Sequence, residues 1–351
     1  MKPFGLISDT HHHNWSSFAT TLASGVNSRL QQILDETQRC ATEVGAAGGD
    51  TIIHAGDLFH VRGSVAPSVL NPTLALYKKL VEEGFKIIIN AGNHDLEGKD
   101  ASDLGSAITA LKEVGCQVIN KPTAIPGSNL FLVPYIANNE QLKATLEKLQ
   151  DETDAPNCDL VIHAGIDGVI KGLPNHGLDA GYLSKLKFNR IFAGHYHHHK
   201  KLADRVWSIG ALTHQTWGDI GTKAGFVIVN GSDVTWRSTR APQFVEVDGT
   251  MSPEDIALVV DGNYVRAKTY SGKGAELEKL RKFLEDSGAK SVTVIAQPDT
   301  GVTRIASSVK AGASLEVSVS DFIKASDFEG KEELDRMCQA ILAEARMEEA
   351  A

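Results

Sequence analysis

Residues 86–95 read Lys86-Ile87-Ile88-Ile89-Asn90-Ala91-Gly92-Asn93-His94-Asp95. A β-branched apolar run stops at a glycine and is followed by an amide, an imidazole and a carboxylate. Apolar side chains at successive positions suit a strand buried on both faces, as in layered α/β folds. The residues at its tip are oxygen and nitrogen donors of the kind that bind divalent cations.

The same pattern recurs through the first two-thirds of the chain. The run 4–8 leads into Asp9-Thr10-His11, and 51–55 leads into Gly56-Asp57. The run 160–164 carries His163, and 190–193 leads into Gly194-His195-Tyr196-His197. Further short apolar runs fall at 117–119, 130–135, 206–209 and 226–230. Between them, apolar residues repeat at helical spacing, as in Val26, Leu30, Ile33, Leu34, Ala41 and Val44, and again in Leu142, Leu146 and Leu149. Strand–helix alternation predicts a layered α/β domain over residues 1–240. In an open α/β sheet the carboxyl ends of the strands share one edge, where ligands bind, so five such tips can address a common centre.

Asp9, His11 and His197 can hold one cation, and Asn93, His163 and His195 a second. Asp57 can bridge, because a carboxylate has two oxygens. Oxygen and imidazole donors without thiolate suit manganese, iron or zinc rather than calcium, with magnesium as a further alternative. Two divalent cations set against two aspartates and a bridging hydroxide leave about one net positive charge, which attracts a phosphodiester.

Composition sets the frame. The 351 residues are 42% hydrophobic and 23% charged, which excludes disordered, fibrous and coiled-coil classes. No apolar run approaches the roughly 18 residues that span a bilayer. The apolar stretch 4–7 is too short for a secretion signal. Cys40, Cys116, Cys158 and Cys338 lie far apart without a C-x-x-C pair, which predicts buried thiols in a reducing cytoplasm. The net charge of −9 is uneven: residues 1–240 carry 22 basic and 24 acidic side chains, residues 241–351 carry 13 and 20. Nucleic-acid binders are usually basic, so charge alone counts mildly against one.

A break near Arg240-Ala241-Pro242 opens a second region, and the last histidine is His214. Ser252-Pro253-Glu254-Asp255 reads as a helix start. Strands are expected at 264–269, 291–297 and 303–309, and a helix at 275–286. A last helix carries Leu334, Met337, Cys338, Ile341, Leu342 and Ala345 on one face, read as core. Residues 241–351 are therefore expected to form a small α/β domain.

The set D-T-H, G-D-L-F-H, G-N-H-D, a lone histidine and G-H-x-H resembles the calcineurin-like metallophosphoesterase superfamily. Within it, Gly56-Asp57-Leu58-Phe59-His60 with downstream Ser64 and Pro67 is similar to the recombination-repair nuclease branch, the SbcD type and its phage relatives. The resemblance implies a helix-flanked β-sandwich and a dinuclear site of Asp9, His11, Asp57, Asn93, His163, His195 and His197, loaded with manganese. It also implies that a hydroxide between the metals attacks phosphorus, with His94 assisting the leaving oxygen and His60 near the scissile phosphate. The stretch Asp261-Gly262-Asn263-Tyr264-Val265-Arg266 resembles the start of a capping domain that places DNA over the site. An SMC-like ATPase partner of the SbcC type, and a homodimer, are implied in the same way. Two rivals stand beside a DNA nuclease: a phosphodiesterase of small molecules or cyclic nucleotides, and a regulatory subunit that keeps the metal fold to bind an ATPase.

Plainer readings cover the remaining residues. His12 and His13 are read as loop residues, His54 as packed, and 198–201 as a solvated loop. His163 can also be a hydrogen-bonded core histidine, and His214 lies at the site rim or away from it with equal weight. Lys185, Lys187 and Arg190 read as charged surface rather than DNA contacts. Trp15, Trp207, Trp217 and Trp236 read as packing rather than base-stacking platforms.

Overall fold

The apolar runs become strands, and their shared burial sets the architecture. The computed structural model describes residues 2–99, 102, 104–269, 274–296, 314–326 and 329–349. The chain divides into two compact units, residues 1–268 with 276–295, and residues 269–275 with 296–351. The strands are β1 (Phe4–Ile7), β2 (Thr51–His54), β3 (Lys86–Asn90), β4 (Gln117–Ile119), β5 (Thr123–Ala124), β6 (Leu130–Val133), β7 (Asp159–His163) and β8 (Arg190–Gly194). They continue with β9 (Lys200–Ala203), β10 (Val206–Ser208), β11 (Gly225–Asn230), β12 (Asp233–Ser238), β13 (Phe244–Asp248), β14 (Tyr264–Thr269) and β15 (Ser291–Ala296).

Two six-stranded sheets result, in the orders β12-β11-β1-β2-β3-β4 and β5-β6-β7-β8-β10-β9. Strands β1 to β4 run parallel, with Ile7 opposite His54 and His54 opposite Ile89. Strands β6, β7 and β8 are parallel too, with His163 opposite Gly194. Alternating residues face opposite ways, so Phe4, Leu6, Ile53 and Ile88 of one sheet meet Leu132, Val161, Phe192 and Trp207 of the other in a central core.

The outer faces are buried by helices. Helices α1 (Ser28–Ala46) and α2 (Pro67–Glu82) cover the first sheet through Leu30, Leu34, Tyr77 and Leu80 against Ile7, Ile52, Ile87 and Ile89. Helices α3 (Asn139–Glu152) and α4 (Ala180–Lys185) cover the second through Leu142, Leu146 and Leu183 against Leu160, Ile162 and Ile191. Asn27 caps α1 by accepting from the amides of Arg29 and Leu30 at 3.0 and 3.2 Å. The fold is thus a layered α/β sandwich flanked by helices, and every ligand-bearing tip lies at a strand's carboxyl end.

A three-stranded sheet β13-β14-β15, with α5 (Pro253–Val260) and α6 (Gly274–Asp286), follows. Strands β13 and β14 belong to the first compact unit. In the second unit, α7 (Leu315–Ala325) and α8 (Lys331–Glu349) pair through Ser320, which donates to Asp335 at 2.6 Å, and Gln339, which donates to the Glu316 carbonyl at 3.0 Å. The apolar face expected to be core on α8 is partly covered: Leu334, Cys338 and Leu342 are half-buried, while Met337 and Ile341 are 56% and 62% exposed. The strand expected at 303–309 lies outside the described residues. Cys40, Cys116 and Cys158 are buried and unpaired, and Cys338 is half-buried. Among the described residues no helix is long and apolar enough to cross a membrane.

Candidate metal centre

The first two tips are laced together before any side chain is counted. Amides of Asp9, His11 and His12 donate to the carbonyls of Gly56, Asp57 and Leu58 at 3.0, 3.1 and 2.7 Å. This ladder forces unusual backbone angles. Among the described residues five non-glycines have positive φ, and four of them are Asp9 (49°), His11 (44°), Asp57 (57°) and His195 (102°). Left-handed geometry costs a non-glycine roughly 1–3 kcal/mol and persists where surrounding structure enforces it. Glycines make the close approach feasible. A Cβ on Gly92 would collide with the Asp57 carboxylate, one on Gly56 with the His163 ring, and one on Gly194 with the Ser8 hydroxyl.

Asp57 stands between two clusters of donor atoms. Its Oδ2 lies 3.7 Å from His11 Nε2 and its Oδ1 3.4 Å from His163 Nε2. On one side, His197 Nε2 is 3.3 Å from His11 Nε2, and Asp9, His11 and His197 offer ligand atoms within 4.8 Å of one another. On the other, Asn93 Oδ1 is 3.2 Å from His163 Nε2 and 2.9 Å from His195 Nδ1. Asp57, His163 and His195 form another such group, and His11, His60 and His94 a third. Asp9 is anchored by the His195 amide, which donates to its two oxygens at 2.9 and 3.1 Å.

The rings are aimed by partners on their far side. His163 Nδ1 donates to the Ala55 carbonyl at 2.9 Å, leaving the Nε2 lone pair for the centre. Asp219 accepts from His197 Nδ1 at 2.8 Å and does the same there. Such outer partners fix tautomer and orientation at metal sites. Tyr135 stacks on His195, with centroids 6.3 Å apart and planes 18° apart.

The electrostatics favour a cation. Burial opposes charge on His163, but the Asp57 carboxylate outweighs it and raises its pKa to about 9. Burial likewise opposes charge on His197, and Asp219 reverses the sign. Burial works against the Asp57 charge too, yet His163 and His11 hold its carboxyl well below the usual range. His195, pressed by burial and by His163, falls to about 4. Seven nitrogen and oxygen donors, with two buried carboxylates and no thiol, fit a pair of divalent ions.

His94 and His60 flank the His11 side. The His94 amide donates to Asp57 Oδ1 at 2.8 Å and its Nδ1 donates to the His60 carbonyl at 2.7 Å. The two rings are stacked at 5.6 Å, and His94 sits edge-on to His11 at 4.7 Å. Burial and then His13 and His94 lower the His60 pKa to about 4. All nine residues singled out in the sequence therefore converge at one end of the sandwich.

Other residues matter here that the sequence reading gave no role. Asp95 is fully buried and accepts from the amides of Asp57 (3.0 Å), Phe59 (3.0 Å) and Gly92 (2.9 Å), pinning two ligand loops together. Burial, then Asp57, pushes its carboxyl up to about 7. The motif quoted around His94 contains it, but spacing does not say which way a carboxylate points. Asp219 and Gln215, whose amide donates to the Asp9 carbonyl at 2.6 Å, carry no local signal at all.

His12 lies in a loop, as the sequence suggests, but its side chain is packed inside. It is buried against Phe59 and Tyr77, donates from Nδ1 to Thr73 at 2.9 Å, and burial lowers its pKa to about 3. His54 is packed, with Thr10 Oγ1 at 2.8 Å from its Nε2. His214 is buried and accepts the Phe244 amide at 3.0 Å. Arg190 is bidentate to buried Asp159 at 2.9 and 2.6 Å, and Lys187 pairs with Asp151, so neither is a free cation for DNA. Residues 200 and 201, read as loop, begin the edge strand β9.

Residues 2–199 match the calcineurin-like phosphoesterases, and the chain belongs to that family. It is 28% identical over 184 residues to exonuclease subunit 1 of Enterobacteria phage T4, covering 51% of this chain and 52% of that protein. It is 27% identical over 192 residues to the DNA double-strand break repair protein Mre11 of Methanocaldococcus jannaschii, covering 51% and 48%. The chain thus spans about half the length of these curated relatives. With Mre11 of Halobacterium salinarum identity is 24% over 287 residues, covering 78% and 67%. A dimetal phosphatase from Danio rerio is similar at a TM-score of 0.38 and 10% identity, covering 68% of this chain and 96% of that one.

Proposed function

We propose that this chain is a dinuclear-metal phosphodiesterase that cleaves DNA. The observation that carries the reading is Asp57, whose two oxygens address two separate donor groups at 3.7 and 3.4 Å. Asp9, His11 and His197 with one of those oxygens would hold one ion. Asn93, His163 and His195 with the other would hold the second. Manganese suits this donor set, with iron, zinc and magnesium as alternatives for elemental analysis to decide. When bound, a pair of divalent ions withdraws charge from the phosphate oxygens and lowers the pKa of water.

The chain's own residues do the rest. The hydrogen bond from His94 Nδ1 to the His60 carbonyl fixes that ring and leaves Nε2 to carry the second proton of the imidazolium. That proton passes to the departing oxygen, work worth roughly 10²–10⁴-fold in rate for a positioned acid. His60, stacked on His94, seats the phosphate from the same side. Asp219 and the Ala55 carbonyl hold His197 and His163 in the tautomers that leave Nε2 bare.

DNA as substrate is supported by the names of the relatives, an exonuclease subunit and a DNA double-strand break repair protein. We further propose that residues 241–351 help place DNA, and that an SMC-like ATPase or a second copy of the chain joins the working assembly. Buried unpaired Cys40, Cys116 and Cys158 support a reducing, cytoplasmic setting. The test is manganese-loaded protein on linear, plasmid and single-stranded DNA beside bis-p-nitrophenyl phosphate and cyclic nucleotides. Cleavage of DNA supports the reading. Turnover of the small esters alone transfers it to a small-molecule phosphodiesterase, and no turnover of any ester overturns both.

A further inference from the structure

A second cavity shares a wall with the metal centre. It measures about 260 Å³ and is lined by residues of the 13–17 loop, the 215–217 turn, Arg29, His60 and Phe244. His60 is the shared wall: its ring lies 5.2 Å from His11 on one side and 4.6 Å from Trp15 on the other. The remaining walls are part aromatic and part polar, the polar ones supplied by Ser16, Ser17, Gln215 and Thr216. Trp217 meets Phe244 edge-on at 4.8 Å, and His13 meets Trp15 edge-on at 5.4 Å.

Three features separate this cavity from ordinary packing. Trp15 and Trp217 are half-buried, so each keeps exposed ring surface. Arg29 is almost fully buried and forms no ion pair among the described residues, the Asp219 charge acting on it from further off. Its guanidinium donates to the carbonyls of Ser17 (3.3 Å) and Gln215 (2.6 Å), tying together the two loops that form the cavity, and lies 4.9 Å from the Trp15 ring and 5.1 Å from Phe244. Among the described residues the one non-glycine with positive φ outside the metal centre, Phe18 at 59°, stands behind these walls. It stacks on Tyr264 at 5.2 Å and braces Trp217 and Phe244 at 5.7 and 5.9 Å.

We propose that this cavity takes one unpaired nucleobase of the strand being cut, next to the phosphate held at the metal centre. The inference rests on the reading of the centre as a DNA phosphodiesterase. Aromatic walls recognise any base by its π-face, and an arginine behind the rings adds positive charge that suits a polyanion. The volume is below the ~300–1,000 Å³ of sites that enclose drug-sized ligands and suits a single base. A paired base must leave its stack to enter, so single strands, gaps and frayed ends are favoured over intact duplex. Trp15 and Trp217 are then specificity residues, and the reacting atoms stay with the metal centre.

The test compares kcat/KM of the manganese-loaded full chain on a single-stranded oligonucleotide and on the same backbone built of abasic residues. Wild type should prefer the base-bearing strand by roughly ten- to a hundredfold, the range that alanine substitution of one stacking ring removes. Trp15→Ala and Trp217→Ala should each bring that ratio towards one, and Trp15→Phe should keep most of it. A wild-type ratio near one overturns the proposal. So does a ratio that survives both alanine variants, because purely structural damage lowers both substrates together. The second readout needs no turnover: deoxyadenosine monophosphate should quench tryptophan fluorescence of the manganese-loaded protein, and Trp15→Ala should remove most of that quench. If neither strand is cut while bis-p-nitrophenyl phosphate is, the DNA reading has failed, and the quench alone then decides whether the cavity holds a base.

Discussion

Removing the Asp95 carboxylate should loosen the centre without touching a ligand. In Asp95→Ala the amides of Asp57, Phe59 and Gly92 lose their acceptor in a fully buried position. Each buried donor left unpaired costs roughly 1–3 kcal/mol. Water entering the vacated volume can satisfy one or two of the three, so the donors left unpaired cost about 1–6 kcal/mol. At about 2 °C per kcal/mol for a chain of this size, the melting temperature should fall by roughly 2–12 °C. The two loops carrying Asp57 and Asn93 lose their common anchor, so metal affinity should drop about 10–100-fold, as for other groups that position ligands. Asp95→Asn should retain part of both, because its amide oxygen accepts while its NH2 group faces donors. Calorimetric melting with and without manganese, together with a manganese titration, reads both effects. A variant that melts within 2 °C of wild type and binds metal within about twofold would refute the assignment of Asp95 as the pin.

Other outcomes follow from the same geometry. His94→Gln should keep its metal and lose roughly 10²–10⁴-fold in turnover, and full activity would remove His94 from the proton transfer. Asp57→Asn should lower metal content at both positions, which elemental analysis reads; an unchanged stoichiometry rejects the bridging carboxylate. Asp219→Asn should weaken metal binding about 10–100-fold by freeing His197, without altering fold by circular dichroism. Exhaustive chelation should abolish phosphodiester cleavage and lower thermal stability by about 3 kcal/mol per ion for ions present at a hundred times their dissociation constant. Stability that ignores chelation would argue against cations held by the native state.

The strands that position the site were legible because they are buried on both faces. A run such as Ile87-Ile88-Ile89 leaves no polar residue to blur the signal, and the donors begin where the run ends. Edge elements were not legible. β9 begins with Lys200 and Lys201, and β12 carries exposed residues on its open face, so both look like loop in the sequence. Strand β13 was also passed over, since Glu246 and Asp248 interrupt its apolar pattern and find cations only across the sheet or water. Among the site residues, each direct donor announced itself by type and place, while the groups that aim them did not. Asp219 reaches His197 only because the turn Trp217–Asp219 folds back beneath it. The burial of loop residue His12 was not legible, because the loop that turns His11 to the centre also drives the next side chain under α2, where Thr73 receives it.

The division of the donor set between the two sheets bears on how the molecule matures. Asp9, His11, Asp57 and Asn93 follow strands of the first sheet, while His163, His195 and His197 belong to the second. Neither half owns a complete cage, and the final donor is translated 188 residues after the first. If the proposed ions bind as assigned, capture of the pair would wait until the sandwich has closed, although His11, His60 and His94 of the first sheet already offer donor atoms within 4.8 Å of one another. Once seated, the ions would rivet one sheet to the other, so uptake of metal would double as a quality seal on a finished fold.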